Sequence, residues 1–188
     1  MNMAKHLQHD LDDLQRDLLG LAGLVEDAIF KAIRALQERD FVLAREVIAG
    51  DTRIDREENH LDDECLKILA LHQPVAGDLR RIAVAMMINI DLERMGDLAE
   101  EIAERALHLA RAPQFPIPEK LQRMTDLTTM MVRQSLDSFV NLSTSQAGTV
   151  LRMDDEVDRY NVFFNHLRAS ALSFEESSAL ITSVLKDM

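Results

Sequence analysis

The sequence predicts an all-α protein made of two tandem antiparallel three-helix-bundle repeats, the second of them truncated in its last helix. Apolar residues recur every three or four positions, and no segment alternates as a strand does. Only six glycines and four prolines occur in 188 residues, so long helices are possible. The two halves also repeat each other with an offset of 103 residues.

The first repeat is predicted to span residues 1–111 and to contain three helices, at about 2–38, 41–72 and 75–111. Asp40 stands where its side chain can cap the second helix. Pro74 ends that helix because its ring blocks further helical turns. The apolar stripe predicted for the third helix comprises Ile88, Leu92, Met95, Ala99, Ile102 and Ala106.

A proline-rich segment separates the halves. PQFPIP, residues 113–118, holds three of the four prolines and predicts a linker at 112–118. The second repeat is assigned to 119–188, with helices at about 119–143, 145–172 and 175 to the end. A polar D-x-x-x-D-R motif occurs in both halves, which indicates duplication of one unit: Asp51, Asp55 and Arg56 reappear as Asp154, Asp158 and Arg159. The last residue, Met188, falls about a third of the way along the sixth helix.

The composition excludes several classes of protein. A formal charge of -12, from 33 acidic and 21 basic residues, argues against binding to nucleic acid and favours cations or basic protein surfaces. The lone Cys65 permits no internal disulfide and lies among apolar residues, so we expect a buried thiol. Since neither a secretory signal nor an 18-residue apolar run is visible, we expect a soluble cytoplasmic protein.

The run DLERMGDLAEEIAE, residues 91–104, places Glu93, Asp97 and Glu101 four residues apart. Side chains at this spacing lie on one helical face, so three carboxylates come together. Each like-charge pair costs a helix about 0.2–0.5 kcal/mol. A cation, an arginine or water must relieve this repulsion.

A second acidic line follows the second helix, where Asp51, Asp55, Glu58 and Asp62 recur at spacings of 4, 3 and 4. If helices two and three pack antiparallel about Pro74, residues whose numbers sum to about 148 lie level. Asp51 then faces Asp97, and Asp55 faces Glu93. The helix-three acids lie away from the core stripe, so we expect a shallow, solvent-facing cluster.

Opposed carboxylates of this kind suit hard or borderline cations, and Mg²⁺, Ca²⁺, Mn²⁺ and iron are all admissible. The alternative is a solvated acidic face without an ion. Four arginines are near enough in sequence to relieve such a face: Arg53, Arg56, Arg94 and Arg105. Asp154 and Asp158 of the second repeat have no acidic partner helix in the sequence, so we expect that site to be absent or weak.

Other chemistry receives little support from the sequence. Glu57 to His60 spell E-x-x-H, a ligand pair of di-iron bundles, but such sites need two of these motifs. No nucleophile constellation or glycine-rich phosphate loop occurs. Asp78 and Arg80 lie in the first turns of the third helix, where they serve as a cap with a local ion pair or as a contact with a partner or an anion.

A known family shares these motifs. LALHQPVAGDLRRIAVAMMINIDLERMGDLAEEIAE, residues 69–104, resembles the signature of the PhoU family of phosphate transport regulators. That signature reads approximately QPxAxDLR followed by DLERIGDxAxNIAE. The resemblance extends from the first helix to the end of the chain and includes the duplicated three-helix units.

The resemblance implies a non-enzymatic cytoplasmic regulator that links a phosphate ABC transporter ATPase to a sensor histidine kinase and restrains the phosphate-starvation response. It also implies a homodimer that reaches the membrane only through partners, and partner contacts at Asp78, Arg80 and Arg94. Bound divalent or ferric ions are expected, with Fe, Mn, Mg, Zn and Ni as candidates. Their ligands map onto Asp51, Asp55, Glu93 and Asp97, with Asp154 and Asp158 from the second repeat.

Two departures from the signature affect these expectations. Glu101 replaces the usual Asn and adds charge beside the predicted metal ligands, and the second repeat lacks an ERxxD motif. Two competing hypotheses stay open: a metal-dependent, di-iron-like enzyme, and a purely structural helical interaction module.

Overall fold

The computed structural model describes the backbone of residues 3–109 and 119–169, and the side chains of 5–109, 120–154 and 157–158. Over these ranges the chain forms five α-helices and no β-strand, which confirms the predicted all-α class. Two compact units are formed, Met1–Pro113 and Gln114–Met188. The predicted linker at 112–118 and the predicted sixth helix lie outside the described residues.

The first unit is a bundle of three long helices, α1 (Met3–Glu38), α2 (Phe41–His72) and α3 (Ala76–Leu109), each of which contacts the other two. Apolar side chains at helical spacing bury one face of every helix. The core includes Leu14, Leu18, Leu21 and Val25 of α1, Val47, Ile54, Leu61 and Ile68 of α2, and Ile82, Ala85, Leu92 and Ala99 of α3.

The ends of α2 follow from two local features that the sequence predicted. The Asp40 carboxylate accepts hydrogen bonds from the backbone N–H groups of Val42 and Leu43 at 2.9 and 3.0 Å, and so caps the first turn. At the other end Gln73 adopts the left-handed conformation, with φ 46° and ψ 53°, and Pro74 follows it. Both predicted boundaries are confirmed.

The buried face of α3 is rotated from the predicted stripe. Leu92, Ala99 and Ala106 are buried as predicted, whereas Ile88, Met95 and Ile102 are only half-buried. Their places at the centre of the interface are taken by smaller or polar residues, namely Asn89, Gly96 and Ala103. The α3 backbone therefore faces α2 more closely than an aliphatic stripe would allow.

The second unit contains α4 (Glu119–Val140) and α5 (Thr144–Ala169), which pack against each other. Leu127, Leu136 and Val157 are buried in this unit. None of the helices in the described part of the chain is both long and apolar enough to cross a lipid bilayer.

Cys65 lies in the core of the first unit and is 1% exposed, as predicted. Burial raises the pKa of its thiol to about 11, with smaller contributions from the charges of Asp62 and Glu64.

We expect native Cys65 to be nearly inert towards iodoacetamide at neutral pH. A thiol pKa raised by about two units leaves about a hundredfold less thiolate, and burial also blocks access. Mass spectrometry should show a rate at least about a hundredfold lower in native protein than in urea-unfolded protein. Equal rates in the two states would contradict the buried position.

Candidate metal centre

The two acidic lines meet at the edge of the contact between α2 and α3. Asp51 and Asp55 of α2 and Asp97 of α3 each offer one carboxylate oxygen, and these oxygens lie within 4.8 Å of one another. The predicted antiparallel register, with residue numbers that sum to about 148, is thereby confirmed. Asp51 and Asp55 are half-buried and Asp97 is exposed, so the site is partly open to solvent.

Gly96 makes this register possible. A Cβ atom placed on Gly96 would lie 3.0 Å from Ile54 Cγ2, 3.2 Å from Ile54 Cδ1 and 3.6 Å from Asp51 Oδ1. The α3 backbone therefore lies directly against the Ile54 side chain, and a methyl group at position 96 would require that side chain to shift. Because Asp97 follows Gly96, the same approach brings its carboxylate beside Asp51.

The carboxylates perturb one another. Partial burial raises the pKa of Asp51, and the charges of Asp55 and Asp97 raise it further. The pKa values of three more acids are also raised, in each case first by burial and then by neighbouring carboxylates; these are Glu58, Glu93 and Glu100. The acids of both helices thus form one electrostatic group.

The arginines considered above do not neutralise the three aspartates. Arg94 pairs with Asp91 at 3.7 Å, and Arg105 pairs with Glu101 at 3.4 Å. The charge of Arg94 offsets only part of the rise in the pKa of Glu93. Arg53 lines a cavity of about 180 Å³ between α1 and α2. Among the described residues, no lysine or arginine lies within ion-pair distance of Asp51, Asp55 or Asp97.

Glu100, which the sequence analysis did not select, belongs to the group, whereas Glu101 points elsewhere. At about 100° per residue, position 100 lies about 40° around the helix from Gly96, and position 101 about 140°. Glu100 accordingly interacts with Asp51 and Asp97, while Glu101 is exposed and paired with Arg105. The spacing of 4, 3 and 4 from Glu93 to Glu104 matches that of α2 and was the signal available.

Asn89 of α3 contacts the acidic line of α2 at its C-terminal part, which comprises Glu58 and Asp62. Its side-chain nitrogen Nδ2 lies 2.9 Å from the backbone oxygen of Glu58, 3.3 Å from Asp62 Oδ1 and 3.5 Å from Glu58 Oε1. The residue is 1% exposed, and its Oδ1 is buried without a hydrogen-bond partner. Glu58 and Asp62 therefore have a hydrogen-bond donor, whereas none of the described side chains donates to the carboxylates of the three aspartates.

The donor set of Asp51, Asp55 and Asp97 fits a hard or borderline cation. Two oxygens on opposite sides of an ion with metal–oxygen distances of about 2.4 Å are about 4.8 Å apart. The three oxygens already lie within that separation. The exposed side of the cluster gives water access to the remaining coordination positions.

Other predicted site residues are not gathered into this cluster. Asp154 and Asp158 are exposed on α5, and no third ligand joins them among the described side chains. His60 is exposed, and the Glu57–His60 pair joins no group of three ligands in the same ranges. Of the predicted partner contacts on α3, Arg80 and Arg94 are exposed and Asp78 is half-buried in the first turn: the three residues lie along one helix.

A family model described as the PhoU domain matches the chain twice, at residues 18–106 and 121–187. The two matches begin 103 residues apart, which is the offset found between the two halves of the sequence. The chain belongs to the PhoU family. The tandem repeat predicted from the sequence is thus a repeat of PhoU domains.

Curated PhoU relatives are named phosphate-specific transport system accessory proteins. The homolog from Aquifex aeolicus is 42% identical over 149 residues, which cover 79% of this chain and 67% of that protein. The protein from Escherichia coli (strain K12) is 30% identical over 190 residues, which cover 98% of this chain and 78% of that protein.

Two solved PhoU structures share the fold. The crystal structure of PhoU from Pseudomonas aeruginosa has a TM-score of 0.83 and 33% identity, and the match covers 95% of this chain and 85% of that one. PhoU from Streptococcus pneumoniae gives a TM-score of 0.76 and 31% identity, with 82% and 72% covered.

Replacing Gly96 should destabilise the protein, although alanine favours helices. The new methyl group would contact Ile54 Cγ2, which cannot move without a change in χ1 because it is bonded to Cβ. We expect Gly96→Ala to lower the free energy of unfolding of metal-free protein by about 1–3 kcal/mol in urea titrations.

Gly50→Ala in α2 is the matched control, since a Cβ atom there has no neighbour within 4 Å. This variant should gain up to about 1 kcal/mol from helix propensity. Equal gains for both variants would show that α2 and α3 are not held in close contact at Gly96.

The stability of metal-free protein should rise as the pH falls from neutral through the raised carboxyl pKa values. The pKa values of Asp51, Glu58, Glu93 and Glu100 are raised, so the folded state binds these protons more tightly than the unfolded chain. The destabilising repulsion is complete above the raised values and is lost as the pH falls through them.

The Asp97→Asn variant should gain less stability as the pH falls. The charge of Asp97 contributes to the raised pKa values of three of these four acids, namely Asp51, Glu93 and Glu100. Glu101→Gln should retain the wild-type rise, since Glu101 contributes to none of them. Urea denaturation at several pH values measures the difference. Identical pH profiles for wild type and Asp97→Asn would exclude the acidic cluster as the cause.

Proposed function

We propose that this chain is an accessory regulator of a phosphate-specific transport system, and that its first three-helix unit binds a metal ion between α2 and α3. The membership of the PhoU family and the printed names of the curated relatives support the first part. The convergence of Asp51, Asp55 and Asp97 supports the second.

The observation that carries the metal proposal is a set of three carboxylates held together by helix packing, with no basic side chain in ion-pair distance among the described residues. A bound cation neutralises their charge and links the two helices. The charges of Glu93 and Glu100 act on the same cluster and add to the negative potential that a cation would meet. The ion would be divalent or ferric, from among Fe, Mn, Mg, Zn and Ni.

The ion's proposed role is structural or regulatory, and no reaction is assigned to it. Curated relatives are named accessory proteins, and the Glu57–His60 pair lacks the second ligand pair of a di-iron centre among the described residues. The proposed partners are the transporter ATPase and a sensor histidine kinase, through which a cytoplasmic homodimer would restrain the phosphate-starvation response. Exposed Arg80 and Arg94 provide charged positions on α3 for such contacts.

Removing one ligand should remove the ion. We expect purified wild-type protein, dialysed against Mn²⁺ and then against buffer, to retain metal in elemental analysis. Asp97→Asn should lower the retained metal at least about tenfold, because it removes the one aspartate that α3 supplies.

Glu101→Gln serves as the control, because it makes the same change of charge four residues away on an exposed position paired with Arg105. It should retain the wild-type metal content. Wild-type protein without metal, or equal metal in wild type and Asp97→Asn, would refute the proposed site.

The transport proposal is tested by affinity capture from cells grown in high phosphate. We expect the tagged chain to recover a transporter ATPase or a sensor histidine kinase, identified by mass spectrometry. Recovery of neither, under conditions where a known complex of that transporter survives, would contradict the proposed role.

A further inference from the structure

The side of α3 that faces α1 carries a second exposed surface, away from the acidic cluster. Helices α1 and α3 run parallel, because the chain reverses direction once into α2 and once out of it. Two hydrogen bonds of 3.3 Å set their relative level. Arg39 Nη1 donates to the backbone oxygen of Leu109, and Arg81 Nη2 donates to Gln15 Oε1. The bonded residues are 70 and 66 positions apart, so an α1 residue lies level with the α3 residue about 68 positions later.

The edge of α1 beside this groove carries an apolar residue at each end. Gln15 faces α3, and at about 100° per residue four later positions lie about 20–80° around the helix from it, away from the core. These positions are Leu19, Gly23, Glu26 and Phe30. Leu19 is 40% exposed and Phe30 is 60% exposed. A Cβ atom on Gly23 would have no neighbour within 4 Å, so the centre of this line is open.

The facing edge of α3 has the same pattern at the same levels. At about 100° per residue, four exposed positions lie about 60–120° around α3 from Asp97, on the side towards α1. They are Met87, Asp91, Arg94 and Leu98, each 68 positions after its counterpart on α1. Met87 is 66% exposed and Leu98 is 57% exposed. Asp91 and Arg94 are paired at 3.7 Å between them. The groove thus has two apolar ends about 16 Å apart and a charged centre.

Large exposed apolar side chains that share one groove indicate a binding surface, and this groove is complementary to itself. A half-turn about an axis that crosses both helices midway along the groove exchanges its two ends. Leu19 and Met87 of one copy then meet Phe30 and Leu98 of the other copy, and the reverse contact follows by symmetry. Apolar side chains therefore cover one another at both ends.

The charged centre is complementary under the same half-turn. Asp91 of one copy lies level with Arg94 of the other, twice by symmetry, so the exposed pair within each chain can be replaced by pairs between chains. Glu26 meets Gly23 of the other copy, where no side chain fills the space. The helices of the two copies run antiparallel, which places opposite ends of the helix dipoles side by side. A half-turn about an axis along the groove would instead align those dipoles.

We propose that the groove between α1 and α3 is the surface through which two copies of this chain associate, with their helices antiparallel. Helices α1 and α3 of both copies then form a four-helix contact. The inference rests on the homodimer of the proposed function and supplies its interface. It does not involve the metal ion, because the acidic cluster lies on the side of α3 that faces α2.

Sedimentation equilibrium of the full chain measures this association. We expect a dimer, and Phe30→Glu or Met87→Glu should raise its dissociation constant at least about a hundredfold, because each buries a charge at both ends of the interface. Leu66→Glu is the matched control, since Leu66 is 55% exposed on α2, and it should change the constant by less than about twofold. A chain that stays monomeric, or equal weakening by Leu66→Glu, would overturn the inference.

Charge exchange tests the antiparallel register. Asp91→Arg would face Arg94 of the other copy, and Arg94→Asp would face Asp91, so each variant alone should dimerise at least about tenfold more weakly. An equimolar mixture should recover the wild-type affinity, because every pair between chains then has opposite charges. Native mass spectrometry identifies the mixed dimer by its mass. A mixture that associates no better than its separate components would overturn the register.

Cysteine cross-linking tests the same contact by distance. Under mild oxidation, Met87→Cys combined with Leu98→Cys should give a covalent dimer, whereas Met87→Cys alone should not, since its two copies would lie about 16 Å apart. The buried Cys65 provides no competing thiol. A covalent dimer from Leu19→Cys combined with Met87→Cys, and none from the first pair, would show the parallel arrangement and overturn the proposed one.

The dimer and the metal site are tested separately. Asp97→Asn should dimerise with the wild-type dissociation constant while it loses the ion, because Asp97 lies outside the groove. A monomeric wild type that still binds Mn²⁺ and still captures the transporter ATPase would overturn the groove contact alone. Loss of the dimer in Asp97→Asn would contradict an interface formed by α1 and α3 without the ion.

Discussion

The contact between the Gly96 backbone and the Ile54 side chain sets the distance between α2 and α3. Ile54 belongs to the buried face of α2, and Gly96 lies at the centre of the buried face of α3. Asp55 and Asp97 are the next residues along each helix, so the packing of the core determines the separation of the carboxylates. The acidic cluster is a consequence of core geometry and does not assemble on its own.

The magnitudes explain why the acids stay together without a cation. Repulsion between neighbouring carboxylates costs about 0.2–0.5 kcal/mol per pair on an exposed helix. Burial of one large aliphatic side chain contributes about 1.5–3 kcal/mol, and α2 alone buries Val47, Ile54, Leu61 and Ile68. Packing therefore exceeds repulsion. The remaining electrostatic strain appears as raised carboxyl pKa values, and it is available to favour a bound cation.

The helices and their register could be predicted from sequence because periodicity, capping and proline placement act locally. The predicted helices agree with the structure to within about three residues at each described end. Gly96, Asn89 and Glu100 escaped prediction for a different reason. Their roles depend on which side of α3 faces α2, and a search for aliphatic residues placed that face at Ile88 and Met95 instead of at the residues that allow the closest approach.

The most direct test of this account is the free energy of unfolding measured as a function of Mn²⁺ concentration. A cation that binds only the folded arrangement of α2 and α3 should add about 2.7 kcal/mol at a hundred times its dissociation constant. The account predicts this gain in the wild-type chain and its loss in Asp97→Asn. A stability that does not depend on Mn²⁺, or an equal gain in both proteins, would contradict the central claim that helix packing creates a cation site.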